Sequence, residues 1–230
     1  DLKLDIEIDN LFLDDQRYGN LTFEMRGYEQ GARFENIVGE LRGIIAKPES
    51  SVNLEWLATP DGEKSRLYGE FSMRDVGDVL EHWNYERIIE SESATASIDL
   101  AWPGTPQDWE LSASNGPVYI KVRDGRFLKA PDSASGTLKV VGIVNLTNIV
   151  RRLQLDFSDI FKSGSSFDRI EGEAIISDSS LKIVDDLEVK SPSTSFLLRG
   201  DADLVEKALD MELIATLPIA SNLPWIAALA

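Results

Sequence analysis

The sequence predicts a mainly β protein: an extended, twisted antiparallel sheet with one apolar face, plus one or two short helices. Three observations lead there. Apolar residues recur at every second position over many short runs, the period of a strand with two unlike faces. Turn-forming clusters separate the runs at short intervals, which joins neighbours as hairpins or a meander. A glycine–acid pair recurs inside strand-like runs, at Gly39-Glu40, Gly69-Glu70, Gly172-Glu173 and Gly200-Asp201. Glycine within a strand marks a bulge or a close backbone approach, and its recurrence suggests a sheet that grows by adding hairpins.

Taken in order, Leu2, Leu4, Ile6 and Ile8 alternate with Lys3, Asp5, Glu7 and Asp9. Leu21, Phe23 and Met25 alternate with Thr22, Glu24 and Arg26. Val52, Leu54, Trp56 and Ala58 share one parity, as do Ala96, Ile98, Leu100 and Trp102, then Val118, Ile120 and Val122. Leu181 and Ile183, Leu187 and Val189, then Phe196, Leu198 and Ala202 follow, and Met211, Leu213, Ala215 and Leu217 close the series. Turns are expected at Tyr18-Gly19-Asn20, Thr59-Pro60-Asp61-Gly62, Asp124-Gly125, Ser163-Gly164-Ser165, Asp178-Ser179-Ser180 and Ser191-Pro192-Ser193.

Two stretches leave the strand rhythm. Over 75–83, Asp75 can cap a helix whose one face carries Val76, Val79, Leu80 and Trp83. Over 136–153 an apolar run ends in Arg151-Arg152, which suits the last turn of a helix, although Val140, Val141, Ile143 and Val144 weaken it. Trp102-Pro-Gly-Thr-Pro106 divides an N-terminal β segment, 1–102, from a C-terminal one, 103–230, unless one sheet runs through both. The chain starts inside a strand pattern at Asp1 and stops in an apolar run, so a piece of a longer protein is expected.

Composition narrows the function. Lys and Arg number 23 against 40 Asp and Glu, a net charge of −17, which repels phosphate backbones and speaks against nucleic acid as a partner. Without cysteine there is no thiol catalysis, disulfide or thiolate metal site. The sole histidine, His82, sits in the expected short helix and reads as a surface residue. The acid pairs Asp14-Asp15 and Asp185-Asp186 read as solvated turn acids. No nucleophile elbow and no phosphate-cradling glycine loop is present. These residues predict no enzyme, no metal and no cofactor. Lys121, Arg123, Arg126 and Lys129 form a small basic stretch, either an outward strand face or a contact for an anionic headgroup.

Several runs resemble a known family. They are Ala101-Trp-Pro-Gly-Thr-Pro106, Gly116-Pro-Val-Tyr-Ile-Lys-Val-Arg-Asp-Gly-Arg-Phe127, Leu138-Lys-Val-Val-Gly-Ile-Val-Asn-Leu146, Arg151-Arg-Leu-Gln-Leu-Asp-Phe-Ser-Asp-Ile-Phe161, Phe167-Asp-Arg-Ile-Glu-Gly172 and Gly200-Asp-Ala-Asp-Leu204. Together they resemble the AsmA-like envelope proteins, and among these the YhdP group, strongly over 100–217 and more loosely before. The resemblance implies a piece of the C-terminal half of a periplasmic body, attached to the inner membrane of a Gram-negative cell by an N-terminal anchor absent from this chain. It implies a sheet folded into an apolar groove that moves phospholipid between inner and outer membranes and maintains the outer-membrane barrier. The expected partners are phospholipid acyl chains, the rest of the same long chain, and other envelope proteins. The expected lining is Leu4, Ile6, Ile8, Leu21, Phe23, Met25, Val52, Leu54, Trp56, Ile98, Leu100, Val118, Ile120, Val122, Leu198 and Leu213. From the residues alone, such a face is equally the core of a closed, non-catalytic structural or interaction module, with the 136–153 helix as its cover.

Overall fold

The computed structural model describes residues 2–13, 15–128, 165–192, 194–206 and 208–216. Alternation produces long strands: β1 (Leu2–Leu13), β2 (Gln16–Tyr28), β3 (Gly31–Leu41), β4 (Ile44–Ala46), β5 (Val52–Thr59) and β6 (Gly62–Met73). The helix α1 (Val76–His82) follows, then β7 (Ile89–Pro103), β8 (Gly116–Phe127), β9 (Ser166–Ser177), β10 (Ser180–Ile183), β11 (Leu187–Ser191), β12 (Thr194–Asp203) and β13 (Ala208–Thr216). All thirteen belong to one antiparallel sheet. The sequence division at 102/103 falls at the end of β7, which pairs directly with β8.

Two positions in the sheet are each filled by two short strands end to end. β4 and β5 both pair with β3 and β6, and β10 and β11 both pair with β9 and β12. The first break is made by a 3-10 turn at Pro48–Ser50, where proline has no N–H to give a ladder, followed by Ser51 at φ 49°. A strand of the opposite side of each break carries one of the recurrent glycines. A Cβ on Gly69 of β6 would lie 2.6 Å from Val52 Cα, and one on Gly172 of β9 would lie 2.9 Å from Leu187 Cα.

The other two recurrent glycines also mark close backbone approach. A Cβ on Gly39 would stand 2.2 Å from the Asn20 carbonyl oxygen, and one on Gly200 would stand 2.1 Å from that of Asp210. Gly39→Ala is therefore expected to destabilise the sheet by about 2 kcal/mol in urea unfolding. Gly62→Ala, also at positive φ but with nothing within 4 Å of the new methyl, is expected to cost about half of that.

Two expected turns are strand irregularities instead. Tyr18-Gly19-Asn20 lies inside β2, and Asp124-Gly125 lies inside β8. The chain reverses between Leu13 and Gln16, with Asp15 at φ 60°. Gly19 sits where the β1–β2 register shifts, and Asp124, at φ 50°, is skipped in the pairings on both of its sides. The turn at Asp178-Ser179 is as expected, both residues having positive φ as a two-residue hairpin requires.

The helix expected near 75–83 is present. Asp75 caps it by accepting a hydrogen bond from Gly77 N at 2.8 Å, and the same oxygen accepts from Ser91 N at 3.0 Å, which ties the helix to β7. Arg87 adds ion pairs to Asp75, Asp78 and Glu81. The helix expected over 136–153 lies outside the described residues. The best-buried cluster is Ala94, Val122, Phe167, Ile170, Val189 and Phe196, with Met73 and Val76 packed against it.

Candidate functional site

Strand alternation and register together decide which residues share a face. Leu4, Met25, Phe34, Leu54, Leu67 and Leu100 stand in one row across β1, β2, β3, β5, β6 and β7. Beside it run Leu2, Gly27, Ala32, Trp56, Ser65 and Trp102 on the same strands. Toward α1 the rows are Gly69, Ile98, Val118, Ala174 and Ile183, then Phe71, Ala96, Ile120 and Gly172. The row nearest the helix is Met73, Ala94, Val122, Ile170, Val189 and Phe196. On the first hairpin Ile6 opposes Phe23 and Ile8 opposes Leu21, and Ile37 opposes Val52 farther in.

The expected lining residues thus come together on one side of one sheet. Leu4, Ile6, Ile8, Leu21, Phe23, Met25, Val52, Leu54, Trp56, Ile98, Leu100, Val118, Ile120 and Val122 all fall in these rows or beside them. Leu198 opposes Leu187 and joins the same side, and Leu213 occupies the register position opposite Leu198. Sequence reasoning missed Phe34, Ile37, Leu67, Phe71 and Ile170, which the register places among them. Phe34 and Ile37 escape because Asn36, at φ 54°, inserts a bulge and resets the parity of β3.

Ser65 is the one hydroxyl in these rows. It is buried and donates to the Gly104 carbonyl at 2.9 Å, so its hydroxyl is satisfied, whereas the indole N–H of Trp56 opposite it is buried without a hydrogen-bond partner among the described residues. Among the described residues, two places are sealed. One is the cluster under α1. At the other, Gly104 to Asn115 folds back on the strand ends: Trp102 Nε1 donates to the Thr105 carbonyl at 3.0 Å and Asn115 bridges Ala101. Between them the apolar side is half-buried, as at Phe23, Phe34, Leu54, Ile98, Val118 and Ile120. On the edge strand Leu2 is 56% exposed.

The other face is an ionic mosaic. Arg66 grips Asp99 with two hydrogen bonds of 2.6 Å, which holds the Asp99 carboxyl below its ordinary range and raises the guanidinium in turn. Lys3 pairs with Glu24, Arg26 with Glu35, and Arg169 with Glu188. The Tyr119 hydroxyl donates to Glu171, which also takes Lys121, and these bonds lower the Glu171 pKa. A lowered carboxylate pKa contributes stability that is full above the ordinary value of 4.5 and is lost as pH falls through the lowered one. Glu171→Gln is expected to be less stable than the parent near neutrality and to converge on it as the pH drops below that ordinary value, read by urea unfolding across pH.

Among the described residues, nothing on this face gathers into a reactive centre. His82 is exposed at the last turn of α1, and its carbonyl accepts from Arg42 at 2.8 Å. Among the described residues, no group of three or more His, Asp or Glu side chains could hold a metal ion. An open cleft near β10, β12 and β13 is lined largely by charge, with Arg199 engaged by Asp186 and Glu212. No helix among the described residues is long and apolar enough to cross a membrane. What the fold does offer is a broad hydrocarbon surface backed by a wet one.

Comparison with known proteins bears on that surface. No solved structure matches the chain. The chain is 25% identical over 176 residues to the intermembrane phospholipid transporter YhdP of Escherichia coli (strain K12), which covers 76% of this chain but 14% of that protein. The family described as YhdP protein matches residues 2–230, nearly the whole sequence. The chain therefore belongs to the YhdP family.

Proposed function

We propose that this chain is a periplasmic segment of an intermembrane phospholipid carrier, and that its apolar face accommodates acyl chains. The observation that carries the reading is the continuous row structure: every position of the rows described above except Ser65 is apolar or glycine, the Ser65 hydroxyl is already satisfied, and the Trp56 indole N–H is the one unpaired donor in those rows. Hydrocarbon needs a lining with few unpaired polar groups. Each methylene that leaves water for it gains about 0.8 kcal/mol. Across its strands the sheet spans about 48 Å at the usual spacing, about three times the ~15 Å of hydrocarbon in one membrane leaflet. A twisted open sheet of this size curls, and hydrophobic burial favours the apolar side as the concave one. The acidic, ion-paired side then faces water. The family match and the E. coli relative support the phospholipid cargo, and an envelope role follows from the same source.

The alternative, a structural module with a closed core, finds support under α1, where Phe167 and its neighbours are sealed, and where Gly104 to Asn115 folds back over Trp102. Mass spectrometry of lipids retained by the purified protein separates the two. Bound phospholipid is expected. A protein that retains none after gentle extraction from envelopes, and takes none up from vesicles, would favour the closed module.

A further inference from the structure

We propose that the polar face carries a docking site for an acidic polypeptide segment of a partner protein, centred on Arg123, Arg169 and Lys190. These three come from distant parts of the sequence. The register sets Arg123 of β8 opposite Arg169 of β9, and Arg169 opposite Lys190 of β11. Three cations therefore stand in one line across three adjacent strands. Like charges directly opposite one another destabilise a sheet.

The same sheet contains an internal control. Lys3, Arg26 and Arg33 also form a cationic row, across β1, β2 and β3. There the next row along the strands is acidic, Asp5, Glu24 and Glu35, and Arg33 faces Glu55 on β5. Every cation of that row has a carboxylate partner: Lys3 with Glu24, Arg26 with Glu35, Arg33 with Glu55. The second row lacks this compensation. Its neighbouring row is Lys121, Glu171 and Glu188, two carboxylates against four cations. Those carboxylates are taken by Lys121, Arg169 and the Tyr119 hydroxyl. Arg123 and Lys190 are exposed and have no ion-pair partner among the described residues. Exposed Glu92, Asp124 and Asp168 stand one position along the strands, on the opposite parity, and none of them pairs with Arg123 or Lys190, so in a chain of net charge −17 these two cations are left without a partner among the described residues.

The row spans two strand spacings, about 10 Å. One small anion covers one position of it. Carboxylates three or four residues apart on a helix lie about 5–6 Å from each other, and those two apart on a strand lie about 7 Å apart, so an acidic polypeptide matches the row with two or more charges. At physiological ionic strength, screening over about 8 Å keeps the distant acids of this chain from cancelling the row. The site lies on the side opposite the proposed lipid face, so the two can be occupied together, and neither depends on the other.

The test compares two double substitutions that each remove two positive charges: Arg123→Gln with Lys190→Gln, and Lys3→Gln with Arg33→Gln. A fluorescently labelled hexaglutamate peptide is titrated with the full chain at low and physiological salt. The parent is expected to bind in a salt-dependent way. The first double variant is expected to bind at least fivefold more weakly, and the second within twofold of the parent. The proposal is overturned if the parent does not bind the peptide, or if the two variants weaken binding equally. It is also overturned if phosphatidylglycerol vesicles or inorganic phosphate, and not hexaglutamate, distinguish the variants. Circular dichroism confirms that both variants keep the sheet.

Discussion

Phe167→Ala is expected to destabilise the protein by about 4 kcal/mol, near the upper end for a single core truncation. Phe167 is 1% exposed and lies at the centre of the cluster formed by Ala94, Val122, Ile170, Val189 and Phe196. Its ring packs against Phe127 with centroids 5.1 Å apart. The backbone has been fitted to it: a Cβ on Gly125 would lie 2.5 Å from Phe167 Cζ. The cluster draws on β7, β8, β9, β11 and β12, and α1 rests on it through Val76. Its loss therefore loosens strands far apart in sequence. Leu4→Ala removes a similar apolar group from the edge strand, where the residue is already 40% exposed, and is expected to cost about 1 kcal/mol. Urea unfolding of the two variants measures the difference. Equal costs would mean that the sheet has no anchored end and is held uniformly by its ladders.

The second large effect concerns cargo. Ile120→Lys is expected to reduce retained phospholipid at least fivefold and to destabilise the chain by about 2 kcal/mol. Ile120 stands between Ala96 and Gly172 in the register, in the middle of the half-buried apolar side. A lysine there has small neighbours and no carboxylate beside it in its row. Its ammonium must reach out of the lining or give up its proton, and either way it interrupts the hydrocarbon path. Ser97→Lys places the same charge on the neighbouring strand but on the other side, opposite Glu70 and Tyr119. It is expected to leave lipid retention unchanged. Lipid mass spectrometry normalised to protein reads both. Similar losses in the two variants would show that the response is to charge or stability, with no preference between faces.

How much of this was legible in the sequence depends on how cleanly each strand alternates. In β1, Leu2 to Ile8 alternate without interruption, and their face follows directly. The same holds for Val52 to Trp56 and for Val118 to Val122. The pattern fails where the backbone departs from regular geometry. At Asn36 a bulge shifts parity, so Phe34 and Ile37 lie on one face although three residues separate them. In β9 two of the inward positions are Gly172 and Ala174, which carry little hydrophobic signal, so Ile170 stands alone in the sequence, and Ile176 is hidden beside the outward Ile175. Gly19 and Asp124 carry turn chemistry yet sit inside strands, because a positive φ serves a bulge as readily as a turn. The recurrent glycines were readable as points of close approach, and at Gly39, Gly69, Gly172 and Gly200 the backbone or side chain of the next strand fills the space of a Cβ. The cationic row was not readable. Arg123 belongs to a visible basic stretch, but Lys121 and Arg126 of that stretch are neutralised by Glu171 and Glu90, and the partners in its row come from β9 and β11.

The central claim is that one face of the sheet, and not the other, holds lipid. Alternation makes this directly measurable, because adjacent residues in a strand sample opposite faces. A photocrosslinking amino acid is placed in turn at Leu54 and Glu55 of β5, and at Ile98 and Asp99 of β7, in the full chain within its membrane environment. Crosslinks to phospholipid are expected from Leu54 and Ile98 and not from Glu55 and Asp99. Equal yields from both residues of each pair, or yields from Glu55 and Asp99 alone, would contradict the account.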